Sequence, residues 1–547
     1  MNVIIIGGVA GGMSAATRLR RRDENATITV LEKSGHVSFA NCGLPYYIGG
    51  VIEDRKDLLL QTPESLHRRF GLDVRVRTEA TAIDREAKTV TARDLDSGDE
   101  LTIPYDALVL APGAAPIRPD IPGIERALTL RDVEDTDRIF AAAKEVSSAV
   151  IIGGGFIGVE LAENLVQRGI ATTIVEAAGQ VMAPIDPEMV APVHRRLADR
   201  GVRLELGSGV TKIGADDVTL ESGAVVPGDL VICAIGVRPS TALAEAAGLE
   251  IGERGGIAVD ERLRTSDSSI YAVGDAVEKR DAISGEQVLV PLANTANLQG
   301  RTVADVIAGD EDARDRPVLA TAIVGVFGLR VAATGWNEKR LRAAGRPYRA
   351  IHTRAAHHAG YYPGAEEMSL KLLVDPETDA ILGAQAVGGD GVDKRIDVLA
   401  TAITGGISAS KLSTLELAYA PQFGSAKDPV NMLGFINENR ASGMAKSIQW
   451  HELPAAVERG ATVIDARSPE EHARGAIPGA INVPLDELRE RAGELPDGEL
   501  VVHCAVGQRG HSAARILVQQ GRDAVNLDGG YETWVAGTGA AGEPQAR

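Results

Sequence analysis

Only three of the 547 residues are cysteine, and Cys42, Cys233 and Cys504 stand too far apart, in contexts too different, to make a disulfide framework. That scarcity suits a reducing compartment, so a cytoplasmic location is expected. Aromatic residues are 3% of the chain, and no uninterrupted apolar run approaches the ~20 residues that span a bilayer. Basic residues are outnumbered, 57 Lys and Arg against 76 Asp and Glu, for a net charge of -19. This balance argues against nucleic acid or an anionic membrane surface as partner. Met1 to Gly8 carry neither a basic leader nor a cleavage site, and a buried first strand is the reading. The length exceeds what one hydrophobic core supports, so several domains are expected.

What is present is sulfur in two isolated stations. Cys42 lies between Ser38-Phe39-Ala40-Asn41 and Gly43-Leu44-Pro45-Tyr46-Tyr47, with no second cysteine nearby to close a dithiol pair. A redox thiol so placed exchanges with something that arrives from solution. A helix starting over Gly43 to Ile48 gives a reason for the Cys42 thiolate to be stable. Cys504 opens Cys504-Ala505-Val506-Gly507-Gln508-Arg509-Gly510-His511. Cys233 sits inside the apolar run Leu230-Val231-Ile232-Cys233 and reads as a small buried hydrophobe.

One pattern occurs twice. Val3 to Ile6 form an apolar strand, Gly7-Gly8-Val9-Ala10-Gly11-Gly12 a tight turn, Met13 to Arg21 a helix, and Thr27 to Leu31 a strand ending in Glu32. The second copy runs from Val150-Ile151-Ile152 through Gly153-Gly154-Gly155-Phe156-Ile157-Gly158, a helix over Val159 to Arg168, and a strand from Ala171 to Val175 that ends in Glu176. Strand, glycine turn, helix, strand and acid make a dinucleotide-binding unit, in which the helix N-terminus meets pyrophosphate and the carboxylate holds a ribose diol. Val9 replaces the middle glycine of the first copy. Glu176 accepts an unmodified 2'-hydroxyl and repels a 2'-phosphate, which favours NADH and leaves NADPH open. Two dinucleotide sites imply two cofactors exchanging electrons, a held flavin and a passing nicotinamide. Apolar strands also lead into Gly113, into Gly236 and into Gly274-Asp275, where the acid heads an expected helix.

With these signals in order, residues 1 to about 440 resemble a flavoprotein disulfide reductase with two dinucleotide folds. The match is to the single-cysteine branch that holds coenzyme A-disulfide reductases, NADH oxidases and peroxidases, and persulfide reductases. The resemblance implies that Gly7, Gly12, Glu32, Gly113 and Asp275 contact FAD, that Gly153, Gly155, Gly158, Glu176 and Gly236 shape the NADH site, and that Cys42 stands over the isoalloxazine. In peroxide-reducing members a histidine commonly occupies the position of Ala10. Alanine neither donates a proton to peroxide nor bonds a sulfenate, which lowers that reading. Coenzyme A-disulfide reductases carry two tyrosines near the thiol, supplied by the partner subunit. Here they are assigned to Tyr361 and Tyr419, with Tyr362 a close rival for the first. His357 and His358 lack further ligands at metal spacing, and no metal is expected. Ser38 and Asn41 flank the thiol, and Arg18 and Arg22 could meet the phosphates of coenzyme A; all four are candidate substrate contacts.

After residue 440 a new unit begins. Asp465-Ala466-Arg467, His472, Gly475-Ala476-Ile477-Pro478-Gly479-Ala480 and the strand Leu500 to His503 leading into Cys504 resemble a rhodanese domain. Six residues from Cys504 to Arg509 join a strand to a helix expected around Ser512 to Gln519, so successive N-H groups can turn on the sulfur and stabilise a thiolate or persulfide, with Arg509 assisting by charge or by bracing. The expected architecture is α/β: residues 1–112 and 245–322 for FAD, 113–244 for NADH, an α+β dimerisation domain at 323–440, a linker at 441–449 and an α/β rhodanese domain at 450–547. The function this implies is NADH-dependent reduction of coenzyme A disulfide, coenzyme A persulfide and polysulfide by a homodimer, with sulfane sulfur handled at Cys504. The rivals are an NADH oxidase or peroxidase with an appended rhodanese unit, and an NADH-responsive sulfur carrier or scaffold.

Overall fold

The computed structural model describes residues 1–540; residues 541–547, the tail of the expected rhodanese unit, lie outside the described residues. The chain divides into two compact units, Met1–Val181 with Arg200–Ala320, and Met182–Asp199 with the chain from Thr321 onward.

In the first unit, runs such as Val3 to Ile6 are apolar at every position because their parallel sheet is covered on both faces. The strand order is Ile270–Ala272, Ala107–Leu110, Asn2–Ile6, Thr27–Leu31, Asp73–Arg75. Chain order reverses about Asn2–Ile6, and such a switch point opens a crevice at the carboxyl ends of the strands. Ile6 pairs with both Leu31 and Leu110, so Gly7 and Glu32 leave the sheet at the same edge. The second sheet repeats the plan with Arg203–Leu206, Ala171–Glu176, Ser148–Ile152 and Leu230–Cys233. Its Val175 pairs with Ile152, which brings Gly153 and Glu176 to one edge.

The first helix spans Ala10–Arg22, longer at its start than the predicted Met13, because small Ala10, Gly11 and Gly12 let it begin directly on the turn. It packs closely against helix Ala293–Ile307, where a Cβ on Gly300 would come within 2.2 Å of the Gly11 carbonyl oxygen. The helix of the second dinucleotide unit, Phe156–Gln167, rests on the short helix Leu44–Gly49 that follows Cys42.

The second unit holds an antiparallel sheet ordered Ala322–Val326, Leu329–Gly335, Ile381–Gly388, Glu367–Val374, Arg349–Ala356. Leu370, Leu372 and Ile351 face helices Val392–Thr404 and Pro429–Ala441 in one apolar core. The opposite face carries a polar row across three neighbouring strands, His352 beside Lys371 and Lys371 beside Gln385. Segment Met182–Asp199 covers that row. Lys371 Nζ reaches Asp186 at 2.9 Å and Glu338 at 3.0 Å and also contacts Glu188, while Gln385 Nε2 donates to Asp186 at 2.7 Å. Asp186, Glu188 and Glu338 converge as cation ligands would, but the Lys371 ammonium lies among them.

A second sheet in this unit is parallel, ordered Ser447–Ile448, Ala524–Leu527, Leu500–His503, Thr462–Asp465, Ile481–Asn482. Ser447 and Ile448, within the expected linker, form its edge strand. Among the described residues no helix is long and apolar enough to cross a membrane.

Candidate active site

The two glycine turns are built alike. A Cβ on Gly12 would lie 1.9 Å from the Gly7 carbonyl oxygen, and one on Gly158 would lie 2.0 Å from that of Gly153, so each helix enters at a distance only glycine permits. Glu32 accepts hydrogen bonds from the N-H groups of Gly8 (2.7 Å) and Ser34 (2.8 Å), and Glu176 accepts those of Gly154 (2.8 Å) and Ala178 (2.8 Å). Both carboxylates are thereby aimed across their own phosphate turn. Burial raises the Glu32 carboxyl above the usual range, only partly offset by its N-H donors. A Cβ on Gly155 would meet nothing within 4 Å, which leaves the second turn open to a ligand.

Asp275 does not head a helix. It lies in the single 3-10 turn Gly274–Ala276, because the chain leaves that turn extended at Val277. Its buried Oδ1 has no hydrogen-bond partner among the described residues, and a buried polar atom of that kind calls for a ligand. Gly113 and Gly236 sit at the ends of the short antiparallel ribbon Ala114–Pro116 with Val237–Pro239 that joins the two dinucleotide folds. A hydroxyl-rich dinucleotide satisfies this donor and acceptor set.

Cys42 occupies the turn Asn41–Gly43 and is exposed, whereas Cys233 and Cys504 are buried. Ser38 is held at φ 48° with its N-H on the Gly8 carbonyl at 2.8 Å, and the Asn41 N-H donates to Phe39 O at 3.0 Å. The cysteine loop is therefore tied to the first glycine turn. The expected helix-start stabilisation of the Cys42 thiolate is corrected here. The following helix has six residues, and partial desolvation of the sulfur by its neighbours, although the residue itself is exposed, together with the carboxylates of Glu160 and Asp275 pushes the thiol up rather than down. Glu160 accepts a hydrogen bond from the Tyr46 hydroxyl at 2.8 Å, and burial raises its own carboxyl. Neither residue was singled out from sequence, although Glu160 lies just inside the helix of the second fingerprint.

Arg18 pairs with Asp305 at 2.8 Å, and Arg22 approaches Asp305 at 3.5 Å and Asp310 at 3.8 Å. Tyr361 and Tyr419, 58 positions apart, are brought together with hydroxyl oxygens 3.2 Å apart. Both are exposed, Tyr361 at 78% and Tyr419 at 50%. The Tyr419 hydroxyl raises the Tyr361 phenol above its ordinary value. Tyr362 instead sets its ring edge on His358, with centroids 5.6 Å apart.

Cys504 ends the strand Leu500–His503, and the helix behind it begins at Gln508, four residues earlier than expected. The Gly507 N-H donates to the Cys504 sulfur at 3.2 Å. Arg509 braces the loop: its guanidinium meets both oxygens of Glu471 at 2.6 and 2.7 Å. Glu471 was missed, though Ser468-Pro469-Glu470-Glu471 is a legible capping box and the structure forms it. Asp465 binds Arg467 through both oxygens and also meets His472 Nδ1 at 2.8 Å, fixing the segment beside the loop.

Paired dinucleotide folds that share one exposed cysteine, followed by a second sulfur loop, define a two-cofactor sulfur oxidoreductase. The chain belongs to the pyridine nucleotide-disulphide oxidoreductase family, whose model matches residues 1–300; the dimerisation domain of that family matches 321–429 and a rhodanese-like domain 449–537. It is a member of the coenzyme A-disulfide reductase type with a fused rhodanese domain. A coenzyme A disulfide reductase of Staphylococcus aureus is 34% identical over 437 residues, 79% of this chain and 99% of that protein. The solved structure of reduced Bacillus anthracis CoADR-RHD is 47% identical with a TM-score of 0.97, covering 98% of both chains. A NAD-dependent persulfide reductase from A. fulgidus is 39% identical with a TM-score of 0.92, over 98% of this chain and 100% of that one. The family uses FAD with NADH or NADPH, and the Asp275 and glycine-turn geometry fits that pair.

Proposed function

We propose that the protein reduces coenzyme A disulfide, coenzyme A persulfide and polysulfide at the expense of NADH, and that Cys504 handles sulfane sulfur. The observation that carries this reading is Cys42, exposed and unpaired beside the first glycine turn while the other two cysteines are buried. Cys42 as thiolate attacks the sulfur of R-S-S-R′ that carries R, R′S⁻ leaves and takes a proton, and the R-S group remains bonded to the Cys42 sulfur as a mixed disulfide. FAD, which Gly7, Gly12, Glu32, Gly113 and Asp275 would hold, would supply the two electrons drawn from the nicotinamide that release the second thiol from Cys42. The Tyr361–Tyr419 pair suits stabilisation of the leaving thiolate, since a phenol hydroxyl donates a hydrogen bond to sulfur without itself being a nucleophile. Arg18 and Arg22 serve as phosphate contacts that Asp305 shares, with Ser38 and Asn41 shaping the thiol's surroundings.

Glu176 supports NADH over NADPH, because its carboxylate, held on the glycine turn by the N-H groups of Gly154 and Ala178, would repel a 2'-phosphate as a like charge. Exposed Tyr361, Tyr419 and Phe423, in a chain with so few aromatics, support a homodimer that covers them. Location in the cytoplasm is part of the same reading. At Cys504, the thiolate takes the outer sulfur of thiosulfate, sulfite leaves, and a Cys504 persulfide anion results. An NADH oxidase or peroxidase is the alternative; the water-forming NADH oxidase of Lactobacillus brevis is 26% identical over 81% of this chain. NADH consumption compared across coenzyme A disulfide, its persulfide, polysulfide, peroxide and oxygen tests the proposal. Faster turnover with oxygen or peroxide than with any disulfide overturns it.

A further inference from the structure

Strand Arg349–Ala356 is the edge of its antiparallel sheet, so one row of its backbone groups has no strand partner. The chain just after Ala524–Leu527 fills that need. Asp528 Oδ2 accepts from the His352 backbone N-H at 3.0 Å, from His352 Nδ1 at 2.8 Å and from Gln449 Nε2 at 3.2 Å, and Gln449 also donates to Ala350 O at 3.0 Å. The other ring nitrogen of His352 meets Glu188 at 3.1 Å. Two residues along the strand, on the same face, Arg354 contacts Glu532 and pairs with Glu367 at 2.9 Å. The strand thus grips the turn at two points, His352 on Asp528 and Arg354 on Glu532.

What lies between those points is the floor of the Cys504 loop. Gly529 and Gly530 are both left-handed, at φ 70° and 66°, and a Cβ on Gly530 would come within 2.5 Å of the Cys504 carbonyl oxygen. The Tyr531 N-H donates to Cys504 O at 2.8 Å and the Glu532 N-H to Ala505 O at 3.0 Å. Carbonyls held outward by these donors leave the loop N-H groups facing inward, where Gly507 meets the sulfur.

We propose that His352 and Arg354, on the edge strand of the antiparallel sheet, are positioning residues for sulfur transfer at Cys504. The inference rests on the sulfurtransferase reading of Cys504 and adds that this station is not autonomous. Loss of either grip frees the Asp528–Glu532 turn, loosens the donors on the loop carbonyls and disperses the N-H groups that hold the thiolate.

The test uses the full-length holoenzyme with thiosulfate as donor and cyanide as acceptor. Cyanide removes the outer sulfur of the Cys504 persulfide as thiocyanate and regenerates the thiolate. His352→Gln and Arg354→Gln are each expected to lower kcat/KM for this transfer by roughly 10- to 100-fold, the scale of a small misplacement at a reacting centre. The loss should fall on kcat more than on KM for thiosulfate, because a looser loop misplaces the Cys504 sulfur and leaves donor binding in place. NADH oxidation with coenzyme A disulfide serves as the control and stays unchanged. If His352→Gln fails to fold, the more exposed Arg354→Gln decides alone. Folded variants with wild-type kcat for sulfur transfer overturn the inference. A wild-type enzyme that transfers no sulfur, or a Cys504→Ser variant that still does, overturns the underlying reading instead.

Discussion

His352 gives the second unit a pH dependence that can be worked out beforehand. Burial lowers the His352 imidazole, as does the neighbouring Lys371 ammonium, but the hydrogen bonds and charges of Asp528 and Glu188 overcome both and raise it from 6.5 to about 9. Arg440 also faces Asp528. A folded-state pKa above the unfolded one means that folding binds a proton. The stabilisation is complete below the unfolded pKa of 6.5 and disappears as pH rises through about 9. Linkage over that interval removes about 2 kcal/mol between pH 7 and pH 9. At roughly 2–4 °C per kcal/mol for domains of this size, the melting temperature of the unit falls by roughly 4–8 °C. Thermal unfolding followed by tryptophan fluorescence suits the measurement, since Trp336, Trp450 and Trp534 all lie in this unit. His352→Gln should be less stable at pH 7, because it leaves buried acids undercompensated, and should lose most of the slope. Equal slopes in wild type and variant, or a flat wild-type profile from pH 7 to 9, would refute the assigned ion pairs.

Three further outcomes are expected. Glu160→Gln removes one of the charges that hold the Cys42 thiol up, so the rise of Cys42 alkylation with pH should move to lower pH; an unmoved profile contradicts the assigned cause. Tyr361→Phe or Tyr419→Phe should slow turnover with coenzyme A disulfide by roughly 10- to 100-fold, as loss of a hydrogen bond to a charged sulfur does, while Tyr362→Phe stays near wild type; the reverse ranking would shift the role to Tyr362. Cys504→Ser should abolish sulfur transfer and spare coenzyme A disulfide reduction, and parallel loss of both would contradict two separable stations.

The legible parts of this chain are those where local sequence dictates local structure. Both glycine turns were read with their acids because strand, turn and helix are contiguous, and Glu32 and Glu176 prove to bind the turn they follow. Tyr361 and Tyr419 were assigned through resemblance, and the fold places their hydroxyls together. The Cys504 loop was readable as a strand running into a helix, but the partner of Arg509 was hidden because Glu471 comes from another helix. Asp275 was misplaced on a helix because a glycine-acid pair reads like an N-cap, and only the extended backbone beyond it decides otherwise. The Cys42 thiol was expected low because a local helix start was visible while the charge of Glu160, 118 positions away, was not. The row His352, Lys371 and Gln385 carries no motif at all. Its one trace was a lysine between leucines in Ser369-Leu370-Lys371-Leu372, a pattern shared with ordinary half-exposed strands.

The central claim is that one unpaired sulfur, Cys42, takes the substrate and receives the electrons of the nicotinamide. Its most direct measurement is peptide mass mapping of the flavin-containing enzyme after coenzyme A disulfide is added without NADH, and again after NADH. A coenzyme A adduct on Cys42, released by NADH, is the predicted result. An adduct on Cys233 or Cys504, or turnover by a preparation free of flavin, would contradict it.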